Sequence, residues 1–160
     1  MPPDDDRLVV SPADGRVIAV TPEREERFLH GPATRVSIFM SPLDVHVNRS
    51  PVTGTVRHVQ HTEGRFHAAF SDKSSLDNER NAVVLESRGH RFVAIQIAGA
   101  VARRIVCYVG PGDSLTRGQR FGMIMFGSRV DLFLPPGVQP AVEVGTRVRA
   151  GLSVVGKMQE

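Results

Sequence analysis

The sequence predicts an all-β domain, and three observations carry that prediction. Fifteen glycines and 11 prolines are scattered through 160 residues, so no stretch keeps the apolar period of an ordinary helix for long. Short apolar runs rich in Val, Ile and Phe recur between turn residues, which is the pattern of strands. Finally, two local motifs each occur twice. Residues 11–20 (SPADGRVIAV) and 50–59 (SPVTGTVRHV) fit S-P-x-x-G-x-V-x-x-V, while residues 112–118 (GDSLTRG) and 145–151 (GTRVRAG) fit G-x-x-(V/L)-x-x-G.

Taken in order, residues 1–7 (MPPDDDR) are polar and Pro-rich, and predict a frayed start. LVVSPADGRVIAV (8–20) reads as strand, turn, strand, with Pro12 and Gly15 making the turn. TPEREERFLHGP (21–32) reads as a charged connection and residues 34–40 (TRVSIFM) as the next strand. Residues 64–81 lack clean alternation and read as a long loop, a place where function concentrates. Residues 81–87 and 90–98 predict a hairpin, and 101–109 a further strand. The apolar run FGMIMFGSRVDLFL (121–134) is broken once, at Gly127-Ser128-Arg129.

The two repeated motifs resemble the opening and closing strands of biotinyl/lipoyl-type barrel sandwiches. Two openers followed by two closers imply a duplicated barrel sandwich of hammerhead repeats with pseudo-two-fold symmetry and few or no helices. The length suits one domain spanning 1–160. A lipoyl or biotin carrier needs a lysine at a hairpin tip between opener and closer. Lys157 follows the last closer and Lys73 lies in the polar loop, which argues against a carrier.

Composition narrows the partners. A formal charge of +3 suits a lipid or nucleic-acid surface only weakly. With no Trp, one Tyr and no dense basic stripe, nucleic acid is the poorer expectation. The single cysteine, Cys107, cannot form an internal disulfide and reads as a small core residue in a reducing compartment. No run of about 18 apolar residues and no signal peptide is seen, so the chain as given predicts no transmembrane segment.

Several chemistries fit poorly. His58 and His61 form a lone H-x-x-H, but on a strand they point to opposite faces; with no HExxH and no Cys cluster, no metal site is expected. Gly127-Ser128-Arg129 is not G-x-S-x-G and lies in no strand-turn-helix unit. What remains is an acid, a base and a hydroxyl at separated strand ends: Asp14, His46 and Ser128. Each has a plainer reading, as an Asx turn residue, a core histidine and a turn serine.

SPADGRV, SPLDVHVNRSPVTGTV, NERN (78–81), QIAGAVARRIV and GQRFGMIMFGSRVDLFLP occur in this order over residues 8–135. Together they resemble the phosphatidylserine decarboxylase proenzyme family, in its short bacterial and archaeal branch. The resemblance implies self-cleavage between Gly127 and Ser128, into a large chain (1–127) and a small chain (128–160) that stay together as a heterodimer, with higher oligomers expected as an option. It implies that Ser128 becomes a pyruvoyl group, whose carbonyl forms a Schiff base with the amine of phosphatidylserine and acts as electron sink for loss of carbon dioxide. His46 is implied as base or proton donor and Asp14 as a self-cleavage partner. Arg129, Arg49, Phe66 and Phe70 are candidate substrate contacts. The expected location is peripheral, on the cytoplasmic face of the cell membrane.

Two departures from the longer branch of the family stand out. That branch carries a second histidine where this chain has Arg49, and usually Gly-Ser-Thr where this chain has Gly127-Ser128-Arg129. The alternatives are a pyruvoyl-dependent decarboxylase of a soluble amino acid and a barrel-sandwich binding module that is never cut.

Overall fold

A computed structural model describes residues 5–41, 43–44, 46–64, 78–99, 105–124 and 127–159. Every strand pairing among them is antiparallel, and no helix occurs among the described residues. The strands are β1 (Leu8–Val10), β2 (Gly15–Glu25), β3 (Gly31–Met40), β4 (Val47–Arg49), β5 (Gly54–Thr62), β6 (Arg80–Ser87) and β7 (His90–Ile97). They continue as β8 (Ile105–Cys107), β9 (Ser114–Leu115), β10 (Arg120–Ile124), β11 (Ser128–Leu134), β12 (Val138–Pro140), β13 (Arg147–Val148) and β14 (Val154–Met158).

An eight-stranded sheet runs β13-β2-β3-β11-β7-β6-β5-β9, and two three-stranded sheets run β1-β14-β12 and β4-β10-β8. The expected charged connection over 21–32 is mostly strand, because β2 and β3 pair out to Glu25 and Gly31. Pro22 is tolerated there: β13 covers β2 only at Gly15 and Arg16, so farther along β2 is an edge with no ladder bond to lose. The three carboxylate-bound amides of Arg27, Phe28 and Leu29 show why the hairpin tip holds, since all donate to the Glu25 carboxylate. Of the strand expected over 101–109, Ile105–Cys107 is observed; residues 101–104 lie outside the described residues.

The duplication is visible in hydrogen bonds. Ser11 Oγ donates to the Ala13 carbonyl at 2.7 Å, and Ser50 Oγ donates to the Val52 carbonyl at 2.7 Å. The Gly151 amide donates to the Ser11 carbonyl at 2.8 Å, as the Gly118 amide does to that of Ser50 at 2.8 Å. Both openers carry a β-bulge at the same place, Val17/Ala19 and Val56/His58. The first opener therefore meets the second closer, and the second opener meets the first closer. In strand terms, β1-β2-β3 and β11-β12-β13-β14 make one repeat, and β4 to β10 make the other, inserted between β3 and β11. The pseudo-two-fold axis passes between β11 and β7.

The main core lies on the inner face of the large sheet, where Val36, Ile38, Leu85, Phe92 and Leu132 pack against Val9, Phe121, Ile124 and Val155 of the small sheets. A second apolar cluster, including Val84, Val93 and Phe133, covers the outer face.

Candidate active site at the start of β11

Ser128 opens β11, opposite Met40, the last residue of β3. Alternation along β11 sends Ser128, Val130, Leu132 and Leu134 to the inner face. The serine is fully buried, and its hydroxyl donates to Met40 Sδ at 3.8 Å. Gly127 has a φ of +65°, a left-handed conformation that a β-carbon would penalise; among the described residues beyond its chain neighbours, no atom lies within 4 Å of where that carbon would sit. A left-handed glycine therefore precedes a buried serine whose hydroxyl is held on Met40.

His46 immediately precedes β4. Its carbonyl accepts from the amide of Ile124, four residues before Ser128, at 3.1 Å. Its ring nitrogen Nε2 is shielded from solvent. The strand that carries the histidine and the strand that leads to the serine are therefore neighbours, which joins two residues 82 apart in sequence through β10.

Asp14 immediately precedes β2, at the same end of the large sheet. Arg16 and Arg129 both lie opposite Phe39 of β3, so the Asp14 turn and Ser128 are separated by two strand spacings, about 10 Å. Its Oδ1 accepts from the amide of Ala150 at 2.7 Å. Beside it runs a cleft of about 460 Å³ lined by Asp14, Leu43, Asp44, Arg147, Val148 and Arg149. Asp44 pins the loop before His46: its carboxylate accepts from the Ser41 amide at 2.8 Å and from Arg147 at 2.9 Å.

The arginines are differently placed. Arg129 projects to the outer face, opposite to Ser128, and its guanidinium pairs with Asp131 at 3.0 Å; both side chains are at most 2% exposed. The signal for this facing was available in the sequence, since adjacent strand residues face opposite ways. Arg49 lies over Gly151 and donates to the Gly118 carbonyl at 2.7 Å, bridging the two closer turns. Phe66 and Phe70 lie outside the described residues. No helix among the described residues is long and apolar enough to cross a membrane.

Reasoning from the sequence missed a row of buried amides. Asn81 donates to Gln96 at 3.0 Å, Gln96 donates to Asn48 at 3.0 Å and to the Val106 carbonyl at 3.2 Å, and Asn48 reaches Met40 Sδ at 3.7 Å. The available signal was polar residues at inward positions of strands otherwise apolar.

The fold and the site together define a duplicated all-β barrel sandwich with a Gly-Ser junction at the start of an inner strand and a histidine just before the adjoining small sheet. The chain belongs to the phosphatidylserine decarboxylase family, whose sequence profile matches residues 1–156. It is 49% identical to the phosphatidylserine decarboxylase proenzyme of Beijerinckia indica, over 98% of this chain and 69% of that protein. It is 48% identical to the proenzyme of Pelobacter propionicus, over 98% of this chain and 71% of that one. With the proenzyme of Nitratidesulfovibrio vulgaris the identity is 51%, over 94% of this chain and 69% of that protein.

Proposed function

We propose that this chain is the precursor of a phosphatidylserine decarboxylase and cuts itself between Gly127 and Ser128. The observation that carries the reading is the junction itself: a left-handed glycine followed by a buried serine, four residues after the β10 residue whose amide donates to the His46 carbonyl, in a chain of this family. The Ser128 hydroxyl loses its proton to a neighbouring base and attacks the Gly127 carbonyl. The C–N bond breaks, the amine takes a proton, and an ester links Gly127 to the serine oxygen. Loss of the Ser128 α-proton then breaks the Cβ–O bond, leaving a carboxylate on Gly127 and dehydroalanine at 128. Water displaces ammonia from the latter to give a pyruvoyl group.

The site fits that group. Residue 128 would become the first residue of a strand still paired on both sides, to β3 and β7. The two pieces, 1–127 and 128–160, would stay one body for the same reason, as β14 also stays paired to β1. Once formed, the pyruvoyl carbonyl supplies an electron sink for release of carbon dioxide from the serine head group. His46 would hold or deliver a proton there. Asp14, at the same end of the large sheet, would serve as the self-cleavage partner. Arg129 and Arg49 would reach substrate only by giving up Asp131 and Gly118, so they are the weaker head-group candidates. The lipid substrate puts the protein peripherally at a membrane surface, with the cytoplasmic face as the expected side.

Intact-mass measurement of the purified protein should show two chains, cut after Gly127, the smaller blocked by a pyruvoyl group. Ser128→Ala should stay whole and inactive. A single uncut chain that releases carbon dioxide from phosphatidylserine vesicles overturns the proposal. Release from free serine or aspartate instead would favour a soluble amino-acid substrate. His46→Ala, tested in already cut protein, should lose decarboxylation by a factor of roughly 10²–10⁴, the usual range for a positioned acid or base.

A further inference from the structure

The amide row invites comparison with the same place in the other repeat. Superposing the repeats by register puts Val9 where Asn48 stands, because Val9 lies opposite Gly156 and Asn48 opposite Gly122. It puts Leu134 where Gln96 stands, and Thr34 where Asn81 stands, since Leu134 lies opposite Thr34 and Gln96 opposite Asn81. The glycines confirm the match. A β-carbon on Gly122 would sit 2.6 Å from Gln96 Nε2, and one on Gly156 would sit 3.3 Å from Leu134 Cδ1.

The fold therefore closes this position with Val and Leu in one repeat and with three buried amides in the other. Asn48 and Gln96 are fully buried and Asn81 is 3% exposed. Burying amides costs free energy that apolar residues of similar size do not incur, so packing alone does not account for them. What they add is direction. Asn48 belongs to the small sheet that carries His46, whereas Gln96, Met40 and Ser128 belong to the large sheet. The Gln96–Asn48 bond spans the two sheets at 3.0 Å, and the Asn48 amide and the Ser128 hydroxyl both reach the same sulfur, Met40 Sδ. Apolar contact between sheets has no angular preference, whereas a hydrogen bond fixes distance and orientation.

We propose that Asn81, Gln96 and Asn48 are positioning residues for self-cleavage, which lock the His46-bearing sheet to the Ser128-bearing sheet and, through Met40 Sδ, set the serine hydroxyl against the Gly127 carbonyl. The inference rests on the self-cleavage reading above. The relay moves no proton to substrate; it holds the reacting groups in register.

The test grafts one repeat onto the other: Asn48→Val, Gln96→Leu and Asn81→Thr together. The graft removes donors and acceptors as a set, so its melting temperature should stay near that of wild type. Freshly made graft precursor, followed on denaturing gels, should be cut about ten- to a hundredfold more slowly than wild type. Hydroxylamine cleaves an ester and spares an amide, so it should not restore cutting if the hydroxyl no longer reaches the carbonyl. Met40→Leu, which keeps the volume and removes the shared sulfur, should also slow cutting, and it serves where the graft does not fold. A folded graft or Met40→Leu precursor cut at the wild-type rate overturns the relay, as does restoration by hydroxylamine. A wild-type precursor that is never cut overturns the self-cleavage reading itself, a separate outcome.

Discussion

The two repeats handle the same junction in opposite ways. In one, β6 turns directly into β7 through Arg88 and Gly89, with Ser87 opposite His90. In the other, β3 and β11 make the same pairing, Met40 opposite Ser128, but the inserted repeat occupies the chain between them. Gly89 and Gly127 occupy matching places and both have positive φ, 80° and 65°. The hairpin end is partly exposed at His90, whereas Ser128 is fully buried. A glycine turn before a strand is thus an ordinary product of this fold. What distinguishes position 127–128 is the burial of Ser128 and the inserted repeat before it, whose strand β10 bonds the His46 carbonyl through Ile124. The comparison also shows that the pairing of β3 with β11 does not depend on a short loop between them: ladder bonds hold the two strands.

The openers differ in a similar way. Asp14 Oδ1 accepts from the Ala150 amide at 2.7 Å, and in the other repeat Thr53 Oγ1 accepts from the Arg117 amide at 2.9 Å. The turn needs one oxygen acceptor, which a hydroxyl provides. The charge of Asp14 exceeds that need, and this favours a chemical use for it.

These differences can be broken experimentally. The largest expected effect is all or none: His90→Ser creates a second Gly-Ser at a strand start, and gels should show a cut only after Gly127. A second cut after Gly89 would mean that a glycine turn before serine suffices. Next, Asp131→Ala should destabilise by about 3–5 kcal/mol in denaturant titrations, because it removes one partner of a buried ion pair. Val93→Ala at the matching place of β7 should cost nearer 2 kcal/mol by lost burial alone, roughly the transfer energy of its methyls. Equal losses would show that the Arg129–Asp131 pair adds nothing beyond packing. Asp14→Thr should keep the fold and slow self-cleavage by roughly a hundredfold, in the range of a lost acid-base partner; cutting at the wild-type rate would leave Asp14 only its turn role. The smallest effect belongs to the reverse change. Thr53→Asp should leave cutting unchanged and shift stability by about 1 kcal/mol at most, as expected at an exposed turn.

Much of this was legible in the chain because its signals are local. Pro12 and Gly15, Pro51 and Gly54, and the paired closer glycines mark turns by their own backbone preferences, and their repetition announces the duplication. Ser128 and His46 stood out through motifs that resemble one family. Less legible was anything that depends on facing. Arg129 follows Ser128 in sequence yet occupies the other side of the sheet, and Arg49, two residues before the second opener's Pro51, is drawn to the closer turns. The amide row was hidden because Asn48, Asn81 and Gln96 sit on three separate strands.

What the sequence by itself determined was the class of fold, its duplication and the Gly127-Ser128 junction, since periodicity and turn chemistry act over a few residues. Which opener meets which closer was decided only in three dimensions. The two closers share one pattern, and either could pair locally with either opener; burial of both sheets in one core selects the crossed arrangement. That choice inserts one repeat into the other, and it is what sets the His46 backbone against β10, the strand that leads to the serine.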